Sequence, residues 1–275
     1  MICHDLKVVG TNFTHQTNGN LGFSTQGKIS KYVRWKEDIN LPTVYIDNYL
    51  NNPIINPNVD NYGWLLESKA ISPQIYQAVK QNPQKYLNKF KYIFTFDNEL
   101  LNYDDRFKFC FAGGPWIKDD NKKLYEKTKL ISCIASNKNR VKGHQVRLKI
   151  ANELKNHLDL YGRIPGGIPL PQKELGLNDY MFSVAIENDL ADFYFTEKIL
   201  DCFVTGTIPI YLGCKSIGKF FDERGIIRLD DSFNIKNITK ELYYEKLEYV
   251  KNNFEICIKN YNIAEDDILF KHIKR

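Results

Sequence analysis

The stretch from Met181 to Gly213 limits most tightly what this chain can fold into. Met181 to Ile186 is a short, mostly apolar run of strand length. Glu187 to Tyr194 is polar and turn-rich, which predicts a loop. Thr196 suits a helix N-cap, because its hydroxyl can accept a bond from a backbone N–H that the first turn leaves unpaired. Ile199, Leu200, Phe203 and Val204 then recur at helical spacing, and Gly206 falls where a helix end favours a left-handed residue. Thr207 to Leu212 reads as a second buried strand. The unit is strand, loop, helix, strand, as in open α/β sheets. Such sheets bind ligands beyond the carboxyl ends of their strands. Here that edge carries Glu187, Asn188, Tyr194, Glu197 and Lys198.

Lys198 lies in the first helical turn, where the macrodipole disfavours a cation. An anion at the same helix end would remove the conflict, and free N–H groups beside a lysine suit phosphate. The plainer alternative is a solvated first turn. The whole stretch, I-E-N-D followed by Y-F-T-E-K-I, D-C and G-T-I-P-I-Y-L-G, resembles the donor-binding motif of glycosyltransferase family 10, the α-1,3/α-1,4-fucosyltransferases. It departs from that pattern at Ile186, Asp189, Phe195 and Leu212, the last replacing the family's usual Trp. The resemblance implies a GT-B architecture: two Rossmann-like α/β domains facing each other across a cleft. It also implies donor-binding roles for Glu187, Asn188, Tyr194, Glu197 and Lys198.

The 275 residues suit two domains, expected as 1–125 for the acceptor and 126–275 for the nucleotide sugar, joined by the charged run 117–128. A hydrophobic fraction of 43% and a charged fraction of 26% are those of a globular chain. The net charge of +5 is spread without a basic stripe, so no nucleic-acid partner is expected. The six cysteines form no C-x-x-C pair and fit a reducing compartment. No signal peptide or membrane span is expected, which points to the cytoplasm of a bacterium or of a virus's host.

In the first half, Leu6–Val9, Thr43–Ile46 and Tyr92–Phe96 are strand candidates. Residues 11–29, with His15, read as a polar loop, and Ser72–Leu87 reads as one helix. Gly63–Leu66 forms an apolar strand that ends in Glu67-Ser68. The resembled family carries its catalytic base in a Glu-Ser-Pro segment at this place, which implies Glu67 as base. Here the proline is displaced to Pro73. In the longer Glu-x-Glu-Ser-Pro form the first Glu would fall at Leu65. Asp97 and Glu99, which close the next strand, are the alternatives.

In the second half, Leu130–Ala135 leads through Ser136-Asn137-Lys138-Asn139-Arg140 into a helix and then the Leu158–Tyr161 strand. The resemblance places Arg147 at the family's phosphate-binding arginine, with Arg140, Lys142 and His144 as rival cations. A guanidinium fork suits a diphosphate. Beyond Gly213, Cys214–Phe221 is expected as a short helix, and the chain from Asn237 as closing helices. Their aromatic faces fit internal packing or a homodimer.

There is no Walker loop, no G-x-G-x-x-G and no strict D-x-D, so nucleotide hydrolysis and dehydrogenase chemistry lack support. No metal and no cofactor are expected. The donor implied is a GDP-sugar, GDP-fucose first, and the acceptor a glycan. The expected activity is inverting glycosyl transfer. A same-fold transferase using another GDP-sugar and a non-catalytic nucleotide- or glycan-binding relative are the alternatives.

Overall fold

The structure, a computed structural model, describes residues 3–10, 28–52 and 55–273. The expected loop around His15 lies outside these residues. The chain forms two compact units. One comprises Met1–Gly114 with Asp192–Tyr194 and Ile263–Arg275; the other comprises Pro115–Ala191 and Phe195–Asn262.

The first unit holds β1 (His4–Val9), β2 (Val33–Trp35), β3 (Thr43–Ile46), β4 (Asn61–Trp64), β5 (Tyr92–Thr95) and β6 (Phe107–Phe109). They make a parallel sheet in the order β2-β1-β3-β4-β5-β6. Every residue of β3 and β4 is buried. Such runs are what a sheet covered on both faces requires. In place of one helix over 72–87 there are two, α1 (Pro73–Gln81) and α2 (Pro83–Leu87). Pro83 is the cause: its ring keeps the preceding residue out of the helical region. Asn82 accordingly sits at φ −145°, ψ 67°, and its side chain accepts from the Lys85 amide. A short helix, α3 (Asn98–Tyr103), follows β5.

The second unit runs β7 (Lys129–Ile134), α4 (Lys142–Leu154), β8 (Asp159–Tyr161), β9 (Tyr180–Ile186), α5 (Glu197–Phe203), β10 (Ile208–Leu212), β11 (Ile227–Arg228), α6 (Lys240–Glu245) and α7 (Leu247–Asn260). Its parallel sheet has the order β11-β10-β9-β7-β8. All of β9 is buried, pairing Phe182 with Ile131 on one side and Ile208 on the other. Gly206 has φ +70°, the left-handed turn its position after α5 predicts. Cys214–Phe221 forms only a 3-10 turn at Ile217–Lys219.

The sequence places the division near residue 125, whereas the compact units divide after Gly114. The charged run 117–128 is held by the second unit. The Trp116 and Ile117 amides donate to Asp201 Oδ1 at 2.6 and 3.3 Å. Lys127 Nζ is buried and donates to the Leu177, Asn178 and Thr205 carbonyls and to Thr207 Oγ1. Burial pulls this ammonium down to about 7. The chain end is also divided: after α7, a π-helical turn at Glu265–Leu269 and α8 (Phe270–Ile273) belong to the first unit.

Both sheets reverse their strand order once, between β1 and β3 and between β7 and β9. Connections from the two reversing strands leave in opposite directions there, so a crevice opens at the carboxyl edge. The loops after β7 and β9 carry the residues singled out in the sequence.

Candidate active site

Helix α4 leaves the β7 loop with Gly143 against the β9 loop. A Cβ on Gly143 would lie 2.4 Å from the Asn188 carbonyl oxygen and 2.5 Å from that of Glu187. This close approach brings the first turns of α4 to the end of β9. Of the four rival cations, Arg140 and Lys142 are exposed, whereas His144 and Arg147 are buried on the face that follows Gly143. Arg147 Nη1 donates to the Ile186 carbonyl, the last of β9, at 3.2 Å. Burial, with the charges of Arg147, Lys138 and Lys198, keeps the His144 imidazole below its ordinary value, so it is neutral near pH 7.

The β9 loop is closed by a brace. Glu187 is fully buried. Its Oε1 accepts from the Thr196 amide at 2.9 Å and its Oε2 from the Thr196 hydroxyl at 2.7 Å. Thr196 Oγ1 also caps α5 by accepting from the Lys198 amide at 3.3 Å. Lys198 Nζ lies 2.9 Å from Thr196 Oγ1, 3.2 Å from Glu197 Oε1 and 3.3 Å from Glu187 Oε2. The conflict between Lys198 and the helix dipole is therefore answered within the chain, by two carboxylates. Burial alone would lower Lys198, but Glu197 and Glu187 outweigh it and raise its ammonium. Burial likewise pushes Glu197 up, and Lys198 and Lys173 outweigh it and hold that carboxyl at about 2. For Glu187 burial prevails and its carboxyl is raised.

The structure thus brings Arg147, Glu187, Asn188, Glu197 and Lys198 to one edge of the second unit. Glu187 faces inward as a brace between the end of β9 and Thr196. Tyr194 groups with the first unit, buried with its ring centroid 4.8 Å from that of Phe96.

In the first unit Glu67 lies past the end of β4 and is half-buried. Its amide donates to Asp47 at 3.2 and 3.3 Å, and its carbonyl accepts from the Tyr76 hydroxyl at 2.8 Å. Asp97 and Glu99, the alternative bases, each have ion-pair partners. Asp97 is fully buried, caps α3 through the Glu99 and Leu100 amides, and pairs with Lys69 at 2.7 Å and Lys80 at 3.0 Å. Glu99 is exposed and bound to Lys80. Sequence reasoning finds Thr196 as a cap but misses its bond to Glu187, and misses Asp47, because each acts across the fold: Asp47 on the segment after β4, Thr196 on a carboxylate at the other end of its loop.

The fold is that of solved glycosyltransferases. An alpha1,3-fucosyltransferase with GDP superposes with a TM-score of 0.54 over 99% of this chain and 88% of that one, at 16% identity. An alpha1,3-fucosyltransferase with GDP-fucose gives 0.51 over 95% and 92%, at 17% identity. The class so defined is the GT-B glycosyltransferase fold. Within that class, residues 124–256 match the family described as glycosyltransferase family 10 (fucosyltransferase), C-terminal part. An alpha-(1,3)-fucosyltransferase of Helicobacter pylori is 32% identical over 87 residues, 32% of this chain and 18% of the relative. A 3-galactosyl-N-acetylglucosaminide 4-alpha-L-fucosyltransferase of Bos taurus is 30% identical over 121 residues, 42% and 32% respectively. The matches therefore span a fifth to a third of these relatives. Among the described residues no helix is long and apolar enough to cross a membrane.

Proposed function

We propose that this chain is an inverting glycosyltransferase that moves L-fucose from GDP-fucose to a glycan hydroxyl. The observation that carries the reading is the 181–213 stretch. Its family-like motif folds as strand, braced loop, capped helix and strand beside the switch point of the second sheet, with Arg147 and Lys198 at that edge. Glu67 acts as general base and takes the proton of the acceptor hydroxyl. That oxygen attacks the anomeric carbon from the face opposite the nucleotide. The bond from that carbon to the phosphate oxygen breaks, and its electron pair leaves with GDP. Arg147 and Lys198 offset the charge growing on the diphosphate. Glu197 holds Lys198, and Asn188 contacts the nucleotide. With these cations in place the step needs no metal.

Leu212 favours one second reading: it stands where the family carries Trp, and a changed wall there would admit another GDP-sugar.

Thermal shifts with GDP, UDP, ADP and CMP, each with and without EDTA, test the donor. A nucleotide at about 100 times its Kd adds about 2.7 kcal/mol of stability. GDP alone should shift the melt, EDTA should leave the shift unchanged, and Lys198→Ala should weaken GDP binding at least 10-fold. A shift with UDP or ADP instead, or full GDP affinity in Lys198→Ala, would overturn the assignment. A panel of GDP-sugars then separates fucose from the second reading.

A further inference from the structure

The carboxyl end of β3 carries two costs at one residue. Asp47 has φ +47°, and among the described residues only Phe193 shares a positive φ without being glycine. A side chain there crowds its own backbone. Asp47 is also a half-buried carboxyl whose charged neighbour is another carboxylate. Burial pushes it up to about 7, opposed by the Leu66 and Glu67 amides and reinforced by the Glu67 charge.

Its contacts are specific. Asp47 Oδ1 accepts from the Leu66 amide at 2.8 Å and from the Glu67 amide at 3.2 Å, and Oδ2 lies 3.3 Å from the Glu67 amide. β3 is one of the two strands between which the sheet order reverses, and β4 pairs with it, Ile46 opposite Trp64. Asp47 therefore reaches from the switch point to the segment that carries Glu67. The Tyr76 hydroxyl holds the Glu67 carbonyl from the other side. Asp97, at the end of β5, is an acid of this unit held without such a backbone. It caps its helix with φ −75° and has Lys69 and Lys80 as partners. Asparagine tolerates the same left-handed backbone and brings no charge, but it has one acceptor oxygen in place of two and its bonds to the amides are not charge-assisted, so it would hold the Leu66–Glu67 peptide less firmly. Strain of this kind, kept at a strand end beside a candidate base, is characteristic of functional sites.

We propose that Asp47 is a positioning residue for glycosyl transfer: its carboxylate fixes the Leu66–Glu67 peptide and so sets Glu67 against the acceptor hydroxyl, at the expense of stability. The inference depends on Glu67 being the base. The two amide bonds are charge-assisted only while Asp47 is ionised, so turnover rises with pH through the titration of Asp47. Stability runs the other way. A carboxyl whose folded value lies above its unfolded value contributes stability fully below the unfolded value, and that contribution is lost as pH rises through the folded value near 7.

The test measures melting temperature and GDP release from GDP-fucose with N-acetyllactosamine, from pH 5.5 to 8, for the full chain and its Asp47→Asn, Asp47→Gly and Glu67→Gln variants. Asp47→Asn and Asp47→Gly should lower kcat at least 10-fold, leave the donor KM within about 2-fold, and lose the acid limb of the kcat profile near pH 7. Asp47→Asn should gain in melting temperature over the unmodified chain on going from pH 5.5 to 8. Glu67→Gln should be inactive throughout. Unchanged kcat and pH profile in Asp47→Asn would overturn the inference. So would lost activity accompanied by a lower melting temperature at pH 8, because that is the signature of a structural cap. An unmodified chain that releases no GDP refutes the GDP-fucose reading on which this inference rests, and the inference with it; an active one that Asp47→Asn matches refutes the inference alone.

Discussion

Lys198 shows how much one side chain depends on its neighbours. On the sequence alone, a lysine in a first helical turn calls for an outside anion. In the structure Glu187 and Glu197 supply that charge, and Thr196 joins the capped helix to the braced loop. Glu197 is the member whose titration can be followed, because its folded carboxyl lies near 2, below its unfolded value. Its contribution to stability is present above the unfolded value and is lost as pH falls toward 2. Denaturant melts from pH 6 to 3 should show the unmodified chain losing about 1–2 kcal/mol more than Glu197→Gln. Equal slopes would mean that Lys198 and Lys173 do not hold this carboxylate. The identities of Glu187, Glu197 and Lys198 were legible in the motif. That Glu187 turns inward was not, because its partner Thr196 is set by how the loop closes.

At the scale of elements, long buried runs were the readable ones. β9 and β10 appear where apolar runs flanked by turn residues predict them, since a strand covered on both faces leaves no polar positions to confuse its bounds. Helix bounds were less readable where Pro83 divides an otherwise continuous pattern. The approach of α4 to the β9 loop has only a faint sequence signal, a glycine in a first turn. Gly143→Ala would place a carbon 2.4 Å from one carbonyl oxygen and 2.5 Å from another, and neither backbone atom can move without shifting the loop. The expected cost is about 1–3 kcal/mol, with GDP affinity falling because Arg147 moves with the helix. Calorimetry of the variant checks this; unchanged stability and affinity would show that α4 does not need the close contact.

For the whole molecule, the last described residues complete the first unit. Asp266 accepts from Ser30 Oγ at 2.5 Å, the Lys31 amide at 2.8 Å and the Tyr32 amide at 3.1 Å, and the Phe270 ring stacks on Tyr32 at 4.4 Å. Asp266→Ala should lower stability by about 2–4 kcal/mol, since it strands a buried hydroxyl and two amides. Trp35 and Trp64 are fully buried in that unit and report on it, so the midpoint of the fluorescence melt should fall; an unmoved midpoint would mean the segment is a passive tail. The sequence by itself determined the α/β character, the buried strands β3, β4, β5, β7, β9 and β10, and the segments that carry Arg147, Glu197 and Lys198. These are local: periodicity, caps and turn residues act within one or two elements, and a motif is read along the chain. The tertiary structure decided that Ile263–Arg275 returns to the first unit, that the division falls after Gly114, that Asp97 is consumed by two lysines, and that Asp47 grips the peptide of Glu67. Each depends on which side chains the parallel crossovers bring side by side, and residues far apart in sequence carry no mark of that pairing until the chain is packed.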